Sequence, residues 1–299
     1  MTPNRVRWGI LGAADVADRW LLPALTSSGN GEVLAIASRD PARAAAMAAR
    51  HQVPRVHRSY DELLGDPDLD AVYVPLPNSL HREWTLRALA AGKHVLCEKP
   101  LAMDAAEASE MAAASRDHGR LLMEAAMYRF LPRMKELAEA VRGRVRYLHA
   151  GFGFPIDAPD NYRMDPELGG GALLDVGFYV ADVARWLLGE PQEFQAVRHD
   201  TEVDMSWSVA LGFPGGEQAG LFASFETPEY QELVVVTDDR VIHVDRPFGL
   251  PDDPGWPYRR MVEAFAAAIL DGDPEPLPLI NSIATAQLLD RIREAATAV

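Results

Sequence analysis

The first 123 residues alternate short apolar runs with Ala- and Leu-rich stretches, and this alternation constrains the fold more than any other feature of the chain. Such alternation is typical of βαβ units that build a parallel sheet. The interiors of the runs are continuously apolar, as in strands that helices cover on both faces. The predicted strands are residues 6–11, 33–38, 71–74, 94–97 and 121–124, and the predicted helices are residues 15–28, 41–50, 80–91 and 104–116.

The pattern changes after a helix predicted at residues 131–141. Longer runs, several with polar–apolar alternation, predict an antiparallel sheet with one face covered by helices. The predicted strands are residues 144–154, 193–199, 203–213, 217–227, 232–237 and 240–244, and the last two predicted helices are residues 258–270 and 282–298. We therefore expect an α/β domain over residues 1–124 and an α+β domain over residues 125–299.

Charge and cysteine content exclude several classes of protein. A formal net charge of −15 repels polyanions, so we expect a neutral small-molecule substrate and no nucleic-acid or membrane partner. The single cysteine, Cys97, cannot form an internal disulfide and suits a reducing cytoplasm. We find no secretory signal pattern, no bilayer-spanning run, no metal-binding spacing of His and Cys, and no G-x-S-x-G motif. We therefore expect neither a metal site nor a serine hydrolase.

The loop after the first predicted strand partly matches the dinucleotide-binding pattern G-x-G-x-x-A. Gly12 and Ala17 fit the pattern, and Ala14 replaces its middle glycine. A pyrophosphate could still approach the backbone N–H groups at the start of the next helix. An ordinary strand-to-helix turn explains the same residues equally well. The candidate cofactor contacts in this loop are Gly9, Gly12, Ala13, Ala14, Asp15 and Val16.

The end of the second predicted strand bears on the choice between NAD and NADP. Ser38 and Arg39 stand where NAD enzymes usually place an acidic group for the ribose 2′-hydroxyl. An arginine there favours the 2′-phosphate of NADP, although a solvated surface arginine is the alternative. Asp40 precedes Pro41, which is typical of a helix N-cap followed by proline at the first helical position. We therefore expect NADP, with NAD as the second possibility.

The remaining strand ends carry residues that would complete a rim around a ligand, because ligands bind at the carboxyl edge of an open parallel sheet. Pro75, Leu76, Asn78 and His81 follow the third strand, Glu98 and Lys99 the fourth, and Arg129 the fifth. Taken singly these residues are unremarkable, since Asn78 could simply cap the next helix. Together they predict a site at this edge.

Hydride transfer between a nicotinamide and an alcohol carbon leaves one proton to be moved, so the site needs an acid/base group. A lysine cation close to a tyrosine can meet this need because it favours the ionised phenol. Lys99, followed by the rigid Pro100, is the candidate cation. Asp175 and Tyr179 share one helix face at i, i+4 spacing, after three glycines that would let the backbone approach a ligand. A solvated turn lysine explains an isolated Glu-Lys-Pro better than a catalytic one does, and a core tyrosine explains Tyr179 equally well.

Four segments, taken together, resemble the Gfo/Idh/MocA oxidoreductase family over essentially the whole chain. They are Gly-Lys-His-Val-Leu-Cys-Glu-Lys-Pro-Leu-Ala at 92–102, Pro-Asn-Ser-Leu-His at 77–81, Met-Tyr-Arg-Phe-Leu-Pro at 127–132 and Gly-Gly-Gly-Ala-Leu-Leu-Asp-Val-Gly at 169–177. Within the family the chain is similar to the dihydrodiol dehydrogenase and D-xylose dehydrogenase branch. The resemblance implies a Rossmann domain followed by a mostly antiparallel sheet domain, with the substrate between them.

The resemblance also implies roles for individual residues. Tyr179 would transfer the proton, Lys99 would be its electrostatic partner and anchor the substrate, and Asp175 would orient both. Arg129, Asn161 and Arg163 would line the substrate pocket, and Asn78 and His81 would lie near the nicotinamide. The implied reaction is reversible oxidation of a sugar, such as an aldose at C1, or of a cyclic diol.

Two other functions remain open at this point. A nucleotide-sugar ketoreductase would need basic residues for a diphosphate, and Arg163 and Arg198 are available. A regulator that binds NADP without turnover would not need both Lys99 and Tyr179. The apolar run at 233–236 predicts an open sheet face that needs a cover, so we expect a homodimer or homotetramer that packs through it.

Overall fold

The computed structural model describes residues 5–156, 158, 161–249 and 256–298. These residues form two compact units. The first contains the described residues within 1–102, 106–130 and 251–282, and the second contains those within 103–105, 131–250 and 283–299. The helices of the described part are α1 Leu22–Ser27, α2 Pro41–His51, α3 Tyr60–Leu64, α4 His81–Ala90, α5 Ala105–His118, α6 Pro132–Ala140, α7 Phe178–Leu188, α8 Pro257–Leu270 and α9 Leu279–Glu294.

A six-stranded parallel sheet forms the centre of the first unit. Its strands are β1 Val6–Leu11, β2 Gly31–Ala37, β3 Arg55–His57, β4 Ala71–Val74, β5 His94–Cys97 and β6 Leu122–Glu124, in the order β3-β2-β1-β4-β5-β6. The order reverses beside β1, so the loops after β1 and β4 meet at a switch point where such sheets bind ligands. The predicted doubly wound fold is confirmed. Strand β3 was not predicted, because its three residues are half-buried or exposed and form no apolar run.

Helix α8 belongs to the first unit, although it follows the second sheet in the sequence. Its buried side includes Met261 and Phe265, and the ring of Phe265 lies 5.2 Å from that of Trp8 in β1. The expected boundary near residue 124 placed this helix in the second domain, so the structure differs there. The sequence pattern predicts an amphipathic helix but cannot say which sheet its apolar side covers.

A seven-stranded mixed sheet forms the second unit. Its strands are β7 Val145–Gly153, β8 Glu193–Asp200, β9 Asp204–Gly212, β10 Gln218–Ser224, β11 Tyr230–Thr237, β12 Val241–Asp245 and β13 Ala296–Ala298, in the order β12-β11-β7-β10-β9-β8-β13. The pairs β7–β10 and β8–β13 are parallel and the others antiparallel, which confirms the predicted mostly antiparallel sheet. The last predicted helix was expected to reach residue 298, but α9 ends at Glu294 and β13 pairs with the edge strand β8 instead.

The two faces of this sheet differ in burial. Helix α7 packs on β7 and β10, and the side chains beneath it, such as Leu148, Trp207 and Leu221, are buried. Side chains on the opposite face are partly exposed, with Tyr147 at 40% and Val197 at 41%. The predicted arrangement, one face covered and one open, is therefore present within this unit. In the described part of the chain, no helix has the length and apolar character needed to cross a membrane.

Candidate functional site

The loop between β1 and the following helix has the geometry of an anion-binding turn. Gly12 adopts a φ of +122°, which favours glycine, and its N–H donates to the carbonyl of Ala37 in β2 at 2.8 Å. A π-helical segment, Ala17–Leu21, directly precedes α1, and the first backbone bond of this helical stretch runs from Asp18 N to Ala14 O at 3.1 Å. The N–H groups of Asp15 and Val16 therefore precede the helical ladder, and both residues are at least partly exposed, so these groups are available to an anion. These features fit the pyrophosphate of a dinucleotide.

Gly9 does not share this role, although it was a candidate cofactor contact. It lies inside β1 and is buried. A Cβ at this position would lie 2.7 Å from Leu69 Cδ1 and 2.8 Å from Leu63 Cδ2. The glycine therefore makes room for the side chains that pack on the sheet, and the expected contact with a cofactor does not fit its position.

Directly after β2, the side chains of Arg39 and Asp40 have different surroundings. The Asp40 carboxylate accepts hydrogen bonds from two backbone N–H groups in the first turn of α2, at 2.9 and 3.1 Å, so the predicted N-cap is confirmed. Ser38 Oγ accepts a hydrogen bond from the Asp40 N–H at 3.2 Å. Arg39 is exposed between these two residues, and the side chain of Asp40 is engaged by the helix. Arg39 is therefore available to a phosphate.

Arg43 is a site residue that the sequence analysis missed. Its Nη2 donates to the carbonyl of Ala13 at 2.8 Å, which ties the first turn of α2 to the loop after β1. The available signal was its place in the first turn of α2, directly after the strand end that carries Arg39. The hydrogen bond from Arg43, in the helix that follows β2, thus holds the loop after β1 in place.

His81 holds two loops of this edge together. Its ring is fully buried, with Nδ1 2.8 Å from the carbonyl oxygen of Pro100 and Nε2 2.8 Å from that of Leu76. Burial lowers the pKa of His81, although the two carbonyls oppose this effect. The ring has no exposed surface to offer a ligand, so the expected contact with a nicotinamide does not fit. His81 instead positions the loops that carry Asn78 and Lys99.

The loop after β5 is anchored by a carboxylate. The hydroxyl of Tyr73, in β4, donates to Glu98, and the Lys99 N–H donates to Glu98 Oε2 at 3.3 Å. Burial, with a smaller contribution from Glu98, raises the pKa of Tyr73 well above its usual value. The Glu98 carboxylate thus serves the protein's own hydrogen bonds, while the Lys99 side chain is partly exposed at the carboxyl edge of the sheet.

The other predicted residues of this edge lie at the ends of their strands. Pro75 and Asn78 are buried after β4, Leu76 is half-buried, and Arg129 is half-buried in the turn after β6. Within the first unit, the carboxyl ends of β1, β2, β4, β5 and β6 therefore present the predicted rim.

In the second unit, Tyr179 lies in the first turn of α7 among aromatic rings. Its ring centroid is 5.3 Å from those of Phe152 and Phe248 and 5.6 Å from that of Phe178. Phe152 and Phe248 stack on each other with an interplanar angle of 12°. Tyr179 itself is half-buried. Phe152 and Phe248 could not be predicted, because they come from β7 and from the loop after β12 and no local sequence pattern links them.

An ion pair lies near Tyr179 in the same unit. Arg163 Nε donates to Asp175 Oδ2 at 2.6 Å, and the Asp175 residue is only 8% exposed. Burial opposes the charge of Arg163, but Asp175 and the nearby Tyr162 and Tyr179 outweigh it and raise the pKa of Arg163. Asn161 Oδ1 accepts a hydrogen bond from the Arg163 N–H at 3.1 Å, so the structure brings these predicted residues together.

Two of the three glycines before α7 have a different role from the one expected. A Cβ on Gly171, whose φ is +111°, would overlap the carboxylate of Asp204, and a Cβ on Gly170 would overlap the backbone of Arg163. Asp204 accepts hydrogen bonds from Leu173 N at 2.7 Å and from Trp207 Nε1 at 2.6 Å. Gly170 and Gly171 therefore accommodate the protein's own backbone and carboxylate rather than a ligand.

Comparisons with known proteins cover both units. Residues 6–126 match the family model of an oxidoreductase family with an NAD-binding Rossmann fold, and residues 133–243 match that of the GFO/IDH/MocA C-terminal domain. The D-xylose 1-dehydrogenase (NADP(+)) 2 of Haloferax volcanii is 38% identical over 315 residues, with 97% of each chain covered. The trans-1,2-dihydrobenzene-1,2-diol dehydrogenase of Xenopus tropicalis is 38% identical over 224 residues, which cover 72% of this chain and 68% of that one.

Among solved structures, the chain is similar to a 3-ketoreductase from Actinomadura kijaniata, crystallised with NADP and TDP-benzene. The TM-score is 0.86 at 33% identity, and the match covers 99% of both chains.

Proposed function

Because the chain belongs to the Gfo/Idh/MocA family of oxidoreductases, we propose that it catalyses reversible, NADP-dependent hydride transfer at an alcohol carbon of a sugar or cyclic diol. The resemblance drawn from the four sequence segments is confirmed, as is an NAD(P)-binding Rossmann domain. When bound, NADP supplies or takes up the hydride. The observation that carries the proposal is the phenol of Tyr179, half-buried among aromatic rings and close to a cation held by a carboxylate.

Tyr179 is assigned the proton transfer. In the oxidation direction its ionised oxygen accepts the proton of the substrate hydroxyl while the hydride leaves the same carbon, and a carbonyl forms. In reduction the phenol returns that proton to the oxygen. The positive charge of Arg163, fixed by Asp175, favours the ionised form of a neighbouring phenol. Lys99 is assigned the role of holding the substrate oxygen, as the family resemblance implies.

The choice of NADP depends on Arg39. This arginine is exposed directly after β2, and the adjacent Asp40 carboxylate is bound by the N–H groups of α2. A carboxylate engaged in this way is poorly placed to bind a ribose 2′-hydroxyl, whereas a guanidinium binds a phosphate well. The H. volcanii relative is named as an NADP enzyme, which agrees with this assignment.

The substrate class depends on the aromatic rings around Tyr179. The stacked rings of Phe152 and Phe248 form an apolar surface that suits the C–H face of a sugar ring or a carbocyclic diol. The charged groups described nearby, Arg163 and Asp175, are paired with each other at 2.6 Å. A neutral substrate is therefore favoured over an anionic one.

A nucleotide-sugar ketoreductase is the second candidate, supported by the likeness to the A. kijaniata enzyme. Its substrate diphosphate would call for available cations. Arg163 is paired with Asp175 at 2.6 Å, and Arg198 is paired with Asp200 at 3.1 Å. Both arginines considered for a diphosphate thus already have carboxylate partners, which favours the neutral sugar or diol.

A substrate panel with the Tyr179→Phe variant tests the proposal. Phenylalanine keeps the ring packing and removes only the hydroxyl, so kcat should fall by roughly 10²–10⁴-fold with little change in NADP affinity. Tyr147→Phe, on the open face of the second sheet, is the matched control and should keep full activity. Full activity of Tyr179→Phe would show that another group transfers the proton. NADP binding by the unmodified protein without turnover of any sugar, diol or ketone would favour the regulator.

We also propose that the protein is cytoplasmic and that copies associate through the open face of the second sheet. Cys97 is buried, and burial raises the pKa of its thiol, so the cysteine suits the core of a cytoplasmic protein. The open face carries partly exposed apolar residues and a depression of about 790 Å³ lined by residues such as His149, Val197 and Phe222. Light scattering should show a dimer or tetramer, and Val197→Asp should shift it towards monomer. A monomeric unmodified protein would contradict the second proposal.

A further inference from the structure

A second cavity lies in the first unit at the amino-terminal edge of its sheet. It has a volume of about 650 Å³. Its lining is formed by residues at the start of β1, β2 and β5, by residues just before β4, and by the end of α8. The loops that carry Gly12, Asn78 and Lys99 leave the opposite, carboxyl edge of the same sheet. The proposed reaction makes no use of this cavity.

The charge of the cavity lining is opposite to that of the chain. Four cationic side chains, Arg5, Arg7, Lys93 and Arg120, face two carboxylates, Glu32 and Asp70. The whole chain has a net charge of −15. A local excess of positive charge on such a protein concentrates anions at that place.

Only part of this positive charge is neutralised by carboxylates. Arg7 forms a bidentate pair with Asp70, at 2.9 and 2.7 Å, and its Nη1 also lies 3.9 Å from Asp68 Oδ1. Lys93 is buried and its Nζ donates to the carbonyls of Asp66 and Leu69, at 2.6 and 2.9 Å, rather than to a carboxylate.

Two exposed arginines that line the cavity supply the rest of its positive charge. Within the described residues, neither Arg5 nor Arg120 has a carboxylate oxygen within 4.0 Å, and both residues are exposed. Two guanidinium groups are therefore available to a ligand, beside a lysine whose charge is already fixed in place.

His94 adds a neutral donor to the lining. Its Nδ1 accepts a hydrogen bond from the Leu121 N–H at 2.9 Å, so the neutral ring carries its proton on Nε2. Burial, with a contribution from Arg120, lowers the pKa of His94 to about 4. At neutral pH the ring is therefore uncharged, and a bound anion would make its protonation easier.

We propose that this cavity binds a small organic phosphate. Arginine pairs and neutral N–H donors recognise phosphate oxygens, and the volume is that of a small-ligand site. Leu69, Ile269 and Leu270 supply an apolar side of the cavity that inorganic phosphate alone would not use.

Calorimetric titration of the full-length protein without NADP, at fixed ionic strength, tests this proposal with inorganic phosphate and with glucose 6-phosphate. Saturable binding is expected, tighter for the sugar phosphate because of the apolar side. Arg5→Ala and Arg120→Ala should each weaken it by roughly 10-fold, the effect of one lost charge-assisted hydrogen bond. Arg142→Ala removes one exposed charge outside the cavity and should leave the affinity unchanged.

The His94 imidazole resonances supply an independent readout, assigned with the His94→Asn variant. Phosphate should shift them saturably and raise the pKa of this histidine. Absence of a saturable shift at millimolar phosphate would overturn the proposal, as would equal weakening by Arg142→Ala and Arg120→Ala. Equal affinity for inorganic phosphate and glucose 6-phosphate would overturn the proposal that the ligand is an organic phosphate.

Discussion

Replacing His81 by phenylalanine tests whether this buried ring holds the cofactor edge of the first unit together. The variant keeps an aromatic ring and removes both nitrogens, each now 2.8 Å from a carbonyl oxygen. Burial lowers the pKa of His81, so at neutral pH the ring carries one N–H and satisfies one carbonyl at a time. Leaving one buried carbonyl without its donor costs about 1–3 kcal/mol. We expect this loss in the free energy of unfolding.

Urea denaturation followed by tryptophan fluorescence measures the loss, and steady-state kinetics measures its effect on the site. The loops after β4 and β5 carry Asn78 and Lys99, so KM for NADP should rise as they lose their common anchor. His118→Phe changes an exposed histidine at the end of α5 and should alter stability by no more than about 0.5 kcal/mol. If His81→Phe unfolds at the same urea concentration and keeps its KM, the ring does not hold these loops.

The difference in the free energy of unfolding between the unmodified protein and His81→Phe should depend on pH. The folded protein disfavours the charged ring, so the pKa of His81 lies below the value of about 6.5 expected in the unfolded chain. Its stabilising contribution is therefore complete above that pH and is lost as the pH falls below it. The stability advantage of the unmodified protein over His81→Phe should shrink on acidification. A constant difference down to pH 4 would contradict the lowered pKa.

Three further predictions concern single residues. Burial opposes the charge of Asp66, but its hydrogen-bond donors lower its pKa to about 2. Asp66→Asn should therefore cost about 2 kcal/mol at pH 7, and unfolding curves of the two proteins should converge between about pH 4 and pH 2. Gly171→Ala combines a positive φ with a steric overlap, so its melting temperature should fall further than that of Gly119→Ala, which has a positive φ but open space around it; equal losses would refute the overlap. Arg39→Ala should raise KM for NADP by roughly 10-fold or more and leave that for NAD nearly unchanged, whereas equal affinities of the unmodified protein would remove this assignment.

Most strands and helices could be predicted because their sequence patterns are local. The alternation of apolar runs and helices identified five of the six parallel strands, and the longer runs, several with polar–apolar alternation, identified six of the seven strands of the second sheet. Elements that depend on a distant partner were missed or misassigned. Strand β3 exists because its backbone pairs with β2, and α8 covers β1 across more than 200 residues of sequence.

The residues of the candidate site likewise fall into those that the sequence placed correctly and those that it did not. Residues whose role follows from their place at a strand end or helix start, such as Arg39, Asp40 and Lys99, lie where the sequence placed them. Gly9 and His81 were assigned to a ligand, yet they face the protein's own interior. Sequence position determines which loop a residue belongs to, but the packing of neighbouring layers decides which way it faces.

The sequence by itself therefore determined most of the order of strands and helices, the turn at Gly12 and the family of the chain, since each depends on short-range pattern. Only the tertiary structure decided that Arg163 pairs with Asp175, that Phe152 and Phe248 enclose Tyr179, and that a positively charged cavity forms at the amino-terminal edge of the first sheet. These features bring together side chains from distant segments. Their free energies depend on burial and distance, which exist only once the chain has folded.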